Sequence, residues 1–241
     1  AAQLKGRVAN IQFGGGSPNS LRAAALTGII ATLRQQFDVA PDAEIGVELD
    51  PRTLDPGYIA ALAAAGVNRL SLGVQTFAPH VQARINRVQP FAMVAAAVNE
   101  ARAHGITGIN FDLMYGLPLQ TPADLAQTIA DALTLAPDRV AVFGYAHMPA
   151  MIARQRMIVD AELPGAAARF AMSALAHQLF ADAGYAAIGF DHFARAHDAM
   201  AVAAADGTLR RNFQGYTTDA GAALIGLGTT AISQFDDLII Q

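Results

Sequence analysis

Three consecutive glycines, Gly14 to Gly16, follow a short apolar run and are followed by Ser17 and Pro18. Because glycine has no side chain and tolerates positive φ, such a loop lets the backbone approach a ligand closely. The apolar run predicts a buried strand, and the Ser-Pro pair predicts the start of a helix. A plain strand-to-helix turn would explain the same residues, and a glycine-rich loop alone does not separate the two interpretations.

Further polar side chains fall at or just beyond the ends of later apolar runs. These are Glu48, Asp50, Gln75, Asp112, Tyr145 and His147. Parallel β/α folds place their binding sites at the C-terminal ends of the strands. A carboxylate on a buried strand is costly unless it is paired, so Glu48 and Asp112 require a partner or a ligand. A helix cap or an ion pair would explain each residue singly, whereas their common position favours one site.

Two residue pairs in the last third of the chain could also do chemistry. Arg210 and Arg211 form either a solvated surface pair or an anion clamp, because guanidinium matches the geometry of a carboxylate. Asp191 and His192 form either a simple hydrogen-bonded pair or part of an acid–base or metal site. The sequence contains no H-E-x-x-H spacing, G-x-S-x-G elbow or Walker loop, which disfavours hydrolases and phosphotransferases.

The elements that would position these residues alternate between β-like and helical runs. Strands are predicted around Val8, Ile45, Leu70, Ile109 and Val140, with helices between them, and one more strand is predicted within residues 185–194. Successive β-then-α units predict a parallel sheet with right-handed crossovers. We therefore expect an α/β fold, a partial (β/α) barrel of parallel strands. It would form a single domain over residues 1–241, with the β/α repeats in 1–150 and a substrate-side, barrel-closing extension in 151–241.

The composition excludes several classes of protein. The chain has 241 residues, is 53% hydrophobic and carries a formal charge of −4. It has no broad basic surface for nucleic acid or anionic membrane and no apolar stretch long enough to span a bilayer, so we expect a cytoplasmic protein that binds neither. With no cysteine, it forms no disulfide and cannot hold an iron–sulfur cluster through thiolates. We assign no metal ligand within it.

Several segments together resemble the oxygen-independent coproporphyrinogen III oxidases, a family of radical S-adenosylmethionine (SAM) enzymes. They are GGGSP at 14–18, ELDPR at 48–52, SLGVQTF at 71–77, NR at 86–87, NFDLMYGLP at 110–118, FGYAH at 143–147, GFDHFA at 189–194 and RNFQGYTT at 211–218. The segments in the first half are similar to those of other radical SAM proteins, including haem chaperones. The last two segments are the ones that point to the oxidases.

The resemblance implies a fold of the radical SAM type and a site for one or two SAM molecules. It implies that Gly15, Gly16 and Ser17 receive the amino group of SAM close to Glu48. The other implied contacts are Gln75, Arg87 with the carboxylate, Asp112 with the ribose hydroxyls, Ala146 and Ile232 with the adenosine, and Met114, Phe213 and Gln214 with a second SAM.

The implied reaction is the oxidative decarboxylation of coproporphyrinogen III propionates to vinyl groups, in haem and porphyrin biosynthesis. In this family a reductant supplies electrons to a [4Fe–4S] cluster, and cleavage of SAM yields the radical that attacks the propionate. We assign no catalytic residue. Because the porphyrinogen is anionic, we expect carboxylate contacts from Arg154, Arg156, Arg210 and Arg211, on the ground of their charge and position.

The chain departs from the family in having no cysteine, whereas the family holds its cluster with a CxxxCxxC loop before the glycine-rich strand. We therefore expect an interior portion of a larger enzyme, inactive alone, that lacks the first β/α unit and a C-terminal region. A cluster-less paralogue would explain the same departure. The alternative function is a non-catalytic SAM- or haem-binding relative. We also expect a monomer, with an aggregation-prone edge at the strand around Val8.

Overall fold

The computed structural model describes residues 6–221 and 223–241, in which helices alternate with strands over most of the length. The strands are β1 Val8–Phe13, β2 Val39–Leu49, β3 Arg69–Gln75, β4 Gly108–Tyr115, β5 Arg139–Gly144, β6 Tyr185–Ile188, β7 His192–Arg195, β8 Arg210–Asn212, β9 Gly215–Thr217, β10 Ser233–Gln234 and β11 Ile239–Ile240. The α-helices are α1 Ala23–Gln36, α2 Tyr58–Ala64, α3 Pro79–Arg84, α4 Phe91–Ala103, α5 Pro122–Thr134, α6 Ala166–Asp182 and α7 Ala199–Ala205.

The main sheet has the strand order β1-β2-β3-β4-β5-β7-β6. Strands β1 to β5 lie side by side in sequence order and are all parallel, as expected for consecutive β/α units. The predicted α/β fold, a partial barrel built from these five parallel strands, is confirmed. Strand β7 adds to β5 in the antiparallel direction, and β6 pairs with β7 at the far edge.

The single strand predicted within residues 185–194 is wrong, because this segment is a hairpin of β6 and β7. Gly189 has a φ of 64°, a left-handed conformation that reverses the chain between the two strands. His192 therefore begins a strand instead of ending one. Asp191 and His192 therefore lie where the turn of the hairpin meets the start of β7, not at the end of a strand.

The two faces of the sheet differ sharply in polarity. Leu70, Leu72 and Val74 of β3 are buried against the helices, whereas Arg69, Ser71 and Gly73 point to the opposite, inner face. Strand β4 repeats this alternation, with its apolar side chains toward the helices and Asn110 and Asp112 on the inner face. The helices thus cover one side of the sheet, and polar side chains line the inside of the partial barrel.

Two arginines and two carboxylates cross-link the inner face at the N-terminal ends of the strands. Arg69 contacts Glu44 at 2.8 Å and Asp198 at 3.6 Å, and Arg139 contacts Asp198 at 2.8 Å and Glu44 at 3.6 Å. Asp198 also accepts a hydrogen bond from the backbone N–H of Met200, which caps the start of α7. The cluster fixes α7 beneath the barrel and neutralises both guanidinium groups.

A capping box starts helix α5. The Thr121 hydroxyl accepts from the Asp124 N–H at 3.2 Å, and the Asp124 carboxylate accepts from the Thr121 N–H at 2.8 Å. We expect Thr121→Ala to lower the free energy of unfolding by about 1 kcal/mol, measured by urea denaturation. Thr134→Ala, at the other end of the helix, is the matched control and should change it by less than about 0.5 kcal/mol. Equal losses in the two variants would contradict the capping role.

None of the helices within the described ranges is both long enough and apolar enough to cross a membrane.

Candidate functional site

The glycine loop after β1 has the open backbone that its sequence predicts. Gly15 and Gly16 have φ angles of 84° and 148°, and no heavy atom lies within 4 Å of where a Cβ would stand on either. A Cβ on Gly14 would lie 2.5 Å from Oε1 of Glu48. Glycine is therefore required at 14 for close contact with Glu48, and at 15 and 16 for the left-handed backbone.

A buried asparagine anchors the segment after the loop to the end of β2. Asn19 lies in the short 3-10 turn Pro18–Ser20 and donates from Nδ2 to the Asp50 carbonyl at 2.9 Å and to Thr53 Oγ1 at 2.8 Å. Its Oδ1 accepts from the Asp50 N–H at 3.1 Å. The glycine loop is thus held beside the strand that carries Glu48.

Glu48 stands on the inner face of β2, directly beside the glycine loop. Burial raises the pKa of its carboxyl group, while hydrogen bonds from the Gly15 N–H and from the Gln12 side chain work in the opposite direction. Gln12 reaches this carboxylate by lying against Gly46, where any side chain would collide with its amide oxygen. A partly buried carboxylate at an open glycine loop is suited to an ammonium ligand.

Asp112 lies on the inner face of β4. Burial raises the pKa of its carboxyl group to about 6, and the negative charge of Glu48 adds to the shift. Among the described residues, no group donates a hydrogen bond to this carboxyl to offset the cost. A carboxylate in this position gains most from a ligand that donates hydrogen bonds, such as a pair of hydroxyl groups.

Arg87 joins the ends of β2 and β3. Its Nη2 donates to the Gly73 carbonyl at 2.7 Å, and its Nη1 donates to Asp50 Oδ2 at 3.2 Å. Its Nε is buried and has no hydrogen-bond partner in the described part of the chain. Arg52 contacts the same carboxylate at 2.6 Å. Burial alone would raise the pKa of Asp50, but the hydrogen bonds and charges of the two arginines lower it.

Gln75 ends β3 in an unusual backbone conformation. Its φ is 66°, and the β3–β4 ladder shifts register between Gly73 and Gln75, as at a β-bulge. Gln75 Nε2 lies 3.2 Å, and Arg87 Nη2 lies 3.1 Å, from where a Cβ on Gly73 would stand. The bulge thus turns Gln75 toward Arg87 over a residue without a side chain. Glu48, Gln75 and Asp112 lie on the neighbouring strands β2, β3 and β4, and Arg87 reaches the ends of β2 and β3 from the loop after α3.

The remaining predicted contacts lie on other elements. Phe213 and Gln214 form the turn between β8 and β9, and the Phe213 N–H donates to Gln234 Oε1 at 3.2 Å in β10. The Ile232 backbone packs against Gly226 just before β10. No hydrogen bond or ion pair within residues 6–221 and 223–241 joins this group to Glu48, Arg87 or Asp112. The structure therefore brings Glu48, Arg87 and Asp112 close together. Phe213, Gln214 and Ile232 lie close to one another near β10, apart from these three residues.

Two predicted SAM contacts lie near the ends of β4 and β5, Met114 within β4 and Ala146 just after β5. Met114 is partly buried against Tyr145, and the Ala146 carbonyl accepts from Gln155 Nε2 at 3.0 Å. Arg169, which sequence reasoning missed, extends from α6 and donates to the Tyr145 carbonyl at 2.6 Å. Its side chain occupies the space beside Gly116 and Gly144, which follow β4 and end β5. Glycines at two adjacent strand ends were the available signal that a large side chain passes there.

The four arginines predicted to contact carboxylates are all exposed. Arg154 and Arg156 lie in the 3-10 helix Ala153–Met157, and Arg156 Nε donates to the Pro149 carbonyl at 3.3 Å. Arg210 and Arg211 lie on β8, and the guanidinium of Arg211 is 5.4 Å from the centre of the Tyr216 ring. The positions allow contact with an anionic ligand.

Residues 1–132, more than half of the chain, match the family model of the radical SAM superfamily. The chain belongs to this superfamily. Over 235 residues it is 50% identical to the oxygen-independent coproporphyrinogen III oxidase of Bradyrhizobium diazoefficiens, covering 98% of this chain and 52% of that protein. It is 43% identical over 234 residues to the enzyme of the same name from Escherichia coli K12, covering 97% and 51%.

A solved structure gives the same result for the fold of this radical SAM chain. The coproporphyrinogen III oxidase HemN from Escherichia coli, described as a radical SAM enzyme, superposes with a TM-score of 0.93 at 43% identity. The match covers 97% of this chain and 54% of the other. The chain spans about half the length of the curated relatives it matches. The resemblance stated from the sequence motifs, and the radical SAM type of the partial barrel, are confirmed.

The radical SAM superfamily uses SAM and a [4Fe–4S] cluster, and the chain's residues fit the first of these. The unpartnered Arg87 Nε, the carboxylates of Glu48 and Asp112 and the open glycine loop offer partners for a carboxylate, an ammonium and a diol. The residues do not fit the cluster, because the sequence has no cysteine. Across the described ranges, no group of three or more His, Asp or Glu side chains is placed to hold a metal ion.

Proposed function

We propose that this chain forms the SAM- and substrate-binding core of an oxygen-independent coproporphyrinogen III oxidase. The observation that carries the proposal is the extent of the similarity. The superfamily model ends at residue 132, yet the named oxidases remain similar over 235 residues, through β6 to β9 and the arginines of β8. The residues after 132 lie outside the superfamily model but inside the similarity to the oxidases. They therefore link this chain to the oxidases in particular.

The inner face of the barrel supports a division of roles among the side chains. We assign the ammonium of SAM to Glu48 and the glycine loop, its carboxylate to Arg87, and its ribose hydroxyls to Asp112. We also assign a contact with SAM to Gln75, which lies beside Arg87 at Gly73, and Ala146 and Ile232 flank the adenosine. A second SAM would contact Met114, Phe213 and Gln214.

The substrate that this proposal implies is a porphyrinogen with several carboxylates, which exposed arginines can bind. We assign this role to Arg154, Arg156, Arg210 and Arg211. When bound, SAM and a reduced cluster supply the radical chemistry, while this chain's residues bind and orient the ligands and exclude water. The chain offers no thiolate to the cluster.

We further propose that residues 1–241 act as one domain of a cytoplasmic, monomeric protein that draws electrons from a separate reductant. The main sheet continues from the β/α repeats into β6 and β7, which supports a single domain with residues 151–241 as the substrate-side part. The formal charge of −4 supports the absence of nucleic-acid or anionic-membrane partners.

The test is an anaerobic assay of the protein expressed from its complete natural gene and reconstituted with iron, sulfide and a reductant. We expect SAM-dependent conversion of coproporphyrinogen III with release of carbon dioxide, and none without SAM. Cleavage of SAM without consumption of the tetrapyrrole would contradict the proposed substrate. Tight haem binding without cleavage of SAM would favour the haem-carrying alternative, which the names of the relatives do not support.

A further inference from the structure

His192 stands on the inner face of the barrel, in line with Asp112. Asp112 of β4 is in register with Ala141 of β5, and Ala141 is in register with His192 of β7. Neighbouring strands lie about 4.8 Å apart, so the α-carbons of Asp112 and His192 are about 10 Å apart. The small side chain of Ala141 lies between them, so the space between the side chains of Asp112 and His192 is open to a ligand.

The surroundings of His192 hold its ring in one orientation. Nδ1 lies 2.6 Å from Asp191 Oδ1, and the ring makes edge contacts with Phe143 and Tyr216 at centroid distances of 5.7 and 5.5 Å. Tyr216 approaches so closely only because Gly189 has no side chain there. Across the described ranges, Nε2 of His192 has no hydrogen-bond partner.

Charge on the inner face distinguishes the two sides of the barrel mouth. Glu48 and Asp112 make the β2 and β4 side acidic, and Arg87 on that side is already paired with Asp50. At the other end of the strands, Arg69 and Arg139 are neutralised by their two carboxylate partners. On the β7 side, Arg211 adds a positive charge against Tyr216, the ring that His192 also contacts. A ligand carboxylate other than the one assigned to Arg87 is therefore repelled by Glu48 and Asp112 and attracted by Arg211 on the β7 side.

We propose that His192 and Arg211, oriented by Asp191 and Tyr216, form a carboxylate-binding site on the β7 side of the barrel mouth. Nδ1 faces Asp191, so Nε2 is the ring nitrogen left to donate to a ligand carboxylate. This inference rests on the proposed function and extends it from Arg211 to His192, Asp191 and Tyr216, which have no role assigned above. Two ligands of that function carry the required group. They are the tetrapyrrole, with its propionates, and the second SAM, whose carboxylate is not the one assigned to Arg87.

The test compares two substitutions that separate the ring nitrogens. His192→Asn keeps an amide near Nδ1 but has nothing at Nε2, whereas His192→Gln places an amide near Nε2. We expect His192→Asn to weaken binding of at least one carboxylate ligand by about tenfold, and His192→Gln by less than about threefold. The probes are coproporphyrin III, followed by fluorescence, and SAM and decarboxylated SAM, followed by calorimetry.

Two further variants control for folding. His177→Gln changes a histidine on the outer, helix-covered face beside Phe193 and should leave both affinities unchanged. Arg211→Gln changes an exposed residue and should weaken the same ligand as His192→Asn, by about threefold to tenfold. Thermal unfolding of each variant is measured alongside, and Arg211→Gln keeps the test decisive if His192→Asn does not fold.

The outcomes separate the source of the carboxylate. A loss confined to coproporphyrin III supports the site and assigns it to a propionate. A loss for SAM but not for decarboxylated SAM supports it and assigns it to the amino-acid end. Wild-type affinities in both His192→Asn and Arg211→Gln overturn the inference and leave the proposed function intact. A wild-type protein that binds neither ligand overturns the proposed function, and the inference with it.

Discussion

Replacing Arg87 by alanine is expected to weaken SAM binding by about tenfold to a hundredfold, measured by calorimetry on the intact chain. A hydrogen bond to a charged group contributes about 1.5–3 kcal/mol, and each 1.4 kcal/mol is a factor of ten in affinity. Arg87 is held by Gly73 and Asp50, and its Nε remains without a partner in the described ranges. The guanidinium is therefore in place before the ligand arrives. Arg87→Lys keeps the charge but loses the planar fork, so its loss should be intermediate.

Arg52→Ala is the matched control for this prediction. Arg52 contacts the same Asp50 carboxylate at 2.6 Å but is assigned no contact with SAM. If the loss in Arg87→Ala arises only from disturbing Asp50, the two alanine variants will bind SAM equally weakly. That result, or unchanged affinity in Arg87→Ala, would refute the assignment of Arg87 to the ligand's carboxylate.

Replacing Asp112 by asparagine is expected to stabilise the ligand-free protein at neutral pH by about 2–3 kcal/mol. Burial, with the charge of Glu48 adding to it, raises the pKa of Asp112 from 3.8 in the unfolded chain to about 6 in the folded protein. Folding is therefore penalised by ionisation of this group. The penalty is absent below about pH 4, grows between pH 4 and 6, and is complete above pH 6, at about 1.4 kcal/mol per pKa unit.

Urea denaturation of wild type and Asp112→Asn at pH 4.5, 6 and 8 measures this difference. The stability gap should be small at pH 4.5 and largest at pH 8. Glu48→Gln should lower the pKa of Asp112. In that background, adding Asp112→Asn should therefore raise the free energy of unfolding by less than it does in the wild type. The same Asp112→Asn change should weaken SAM binding at pH 8, because the carboxylate that costs stability is the one assigned to the ribose hydroxyls. A gap that does not vary with pH would contradict the buried, unpartnered state of Asp112.

The strands and their polar ends could be predicted because each depends on residues close together in the sequence. Apolar runs broken by glycine or proline located β1 to β5, and Glu48 and Asp112 were singled out because they fall at or near the ends of two of these runs. Once parallel strands are accepted, their C-terminal ends must meet at one edge. This rule brings Glu48, Gln75 and Asp112 together, whereas Arg87 is expected there only from the family resemblance.

The features that could not be predicted depend on backbone angles or on distant partners. The positive φ of Gln75 and the bulge around it leave no mark in a sequence that reads as an ordinary strand end. Asp50 is held by Arg87, 37 positions away, and the reach of a long flexible side chain is not encoded in spacing. The hairpin reversal at Gly189 could not be predicted, because a single glycine within a short β-like run also fits a continuous strand.

The side chain of Asn10 on β1 donates to Asp219 Oδ2 at 2.9 Å, which joins residues 209 positions apart. Within the described ranges, β1 pairs with β2 alone, so its other edge is available to this late segment. During synthesis on the ribosome, β1 emerges long before Asp219 does. The β/α units can assemble through local contacts in the meantime, whereas the contact between Asn10 and Asp219 can form only after both segments have been made. This contact therefore belongs to a late step of folding.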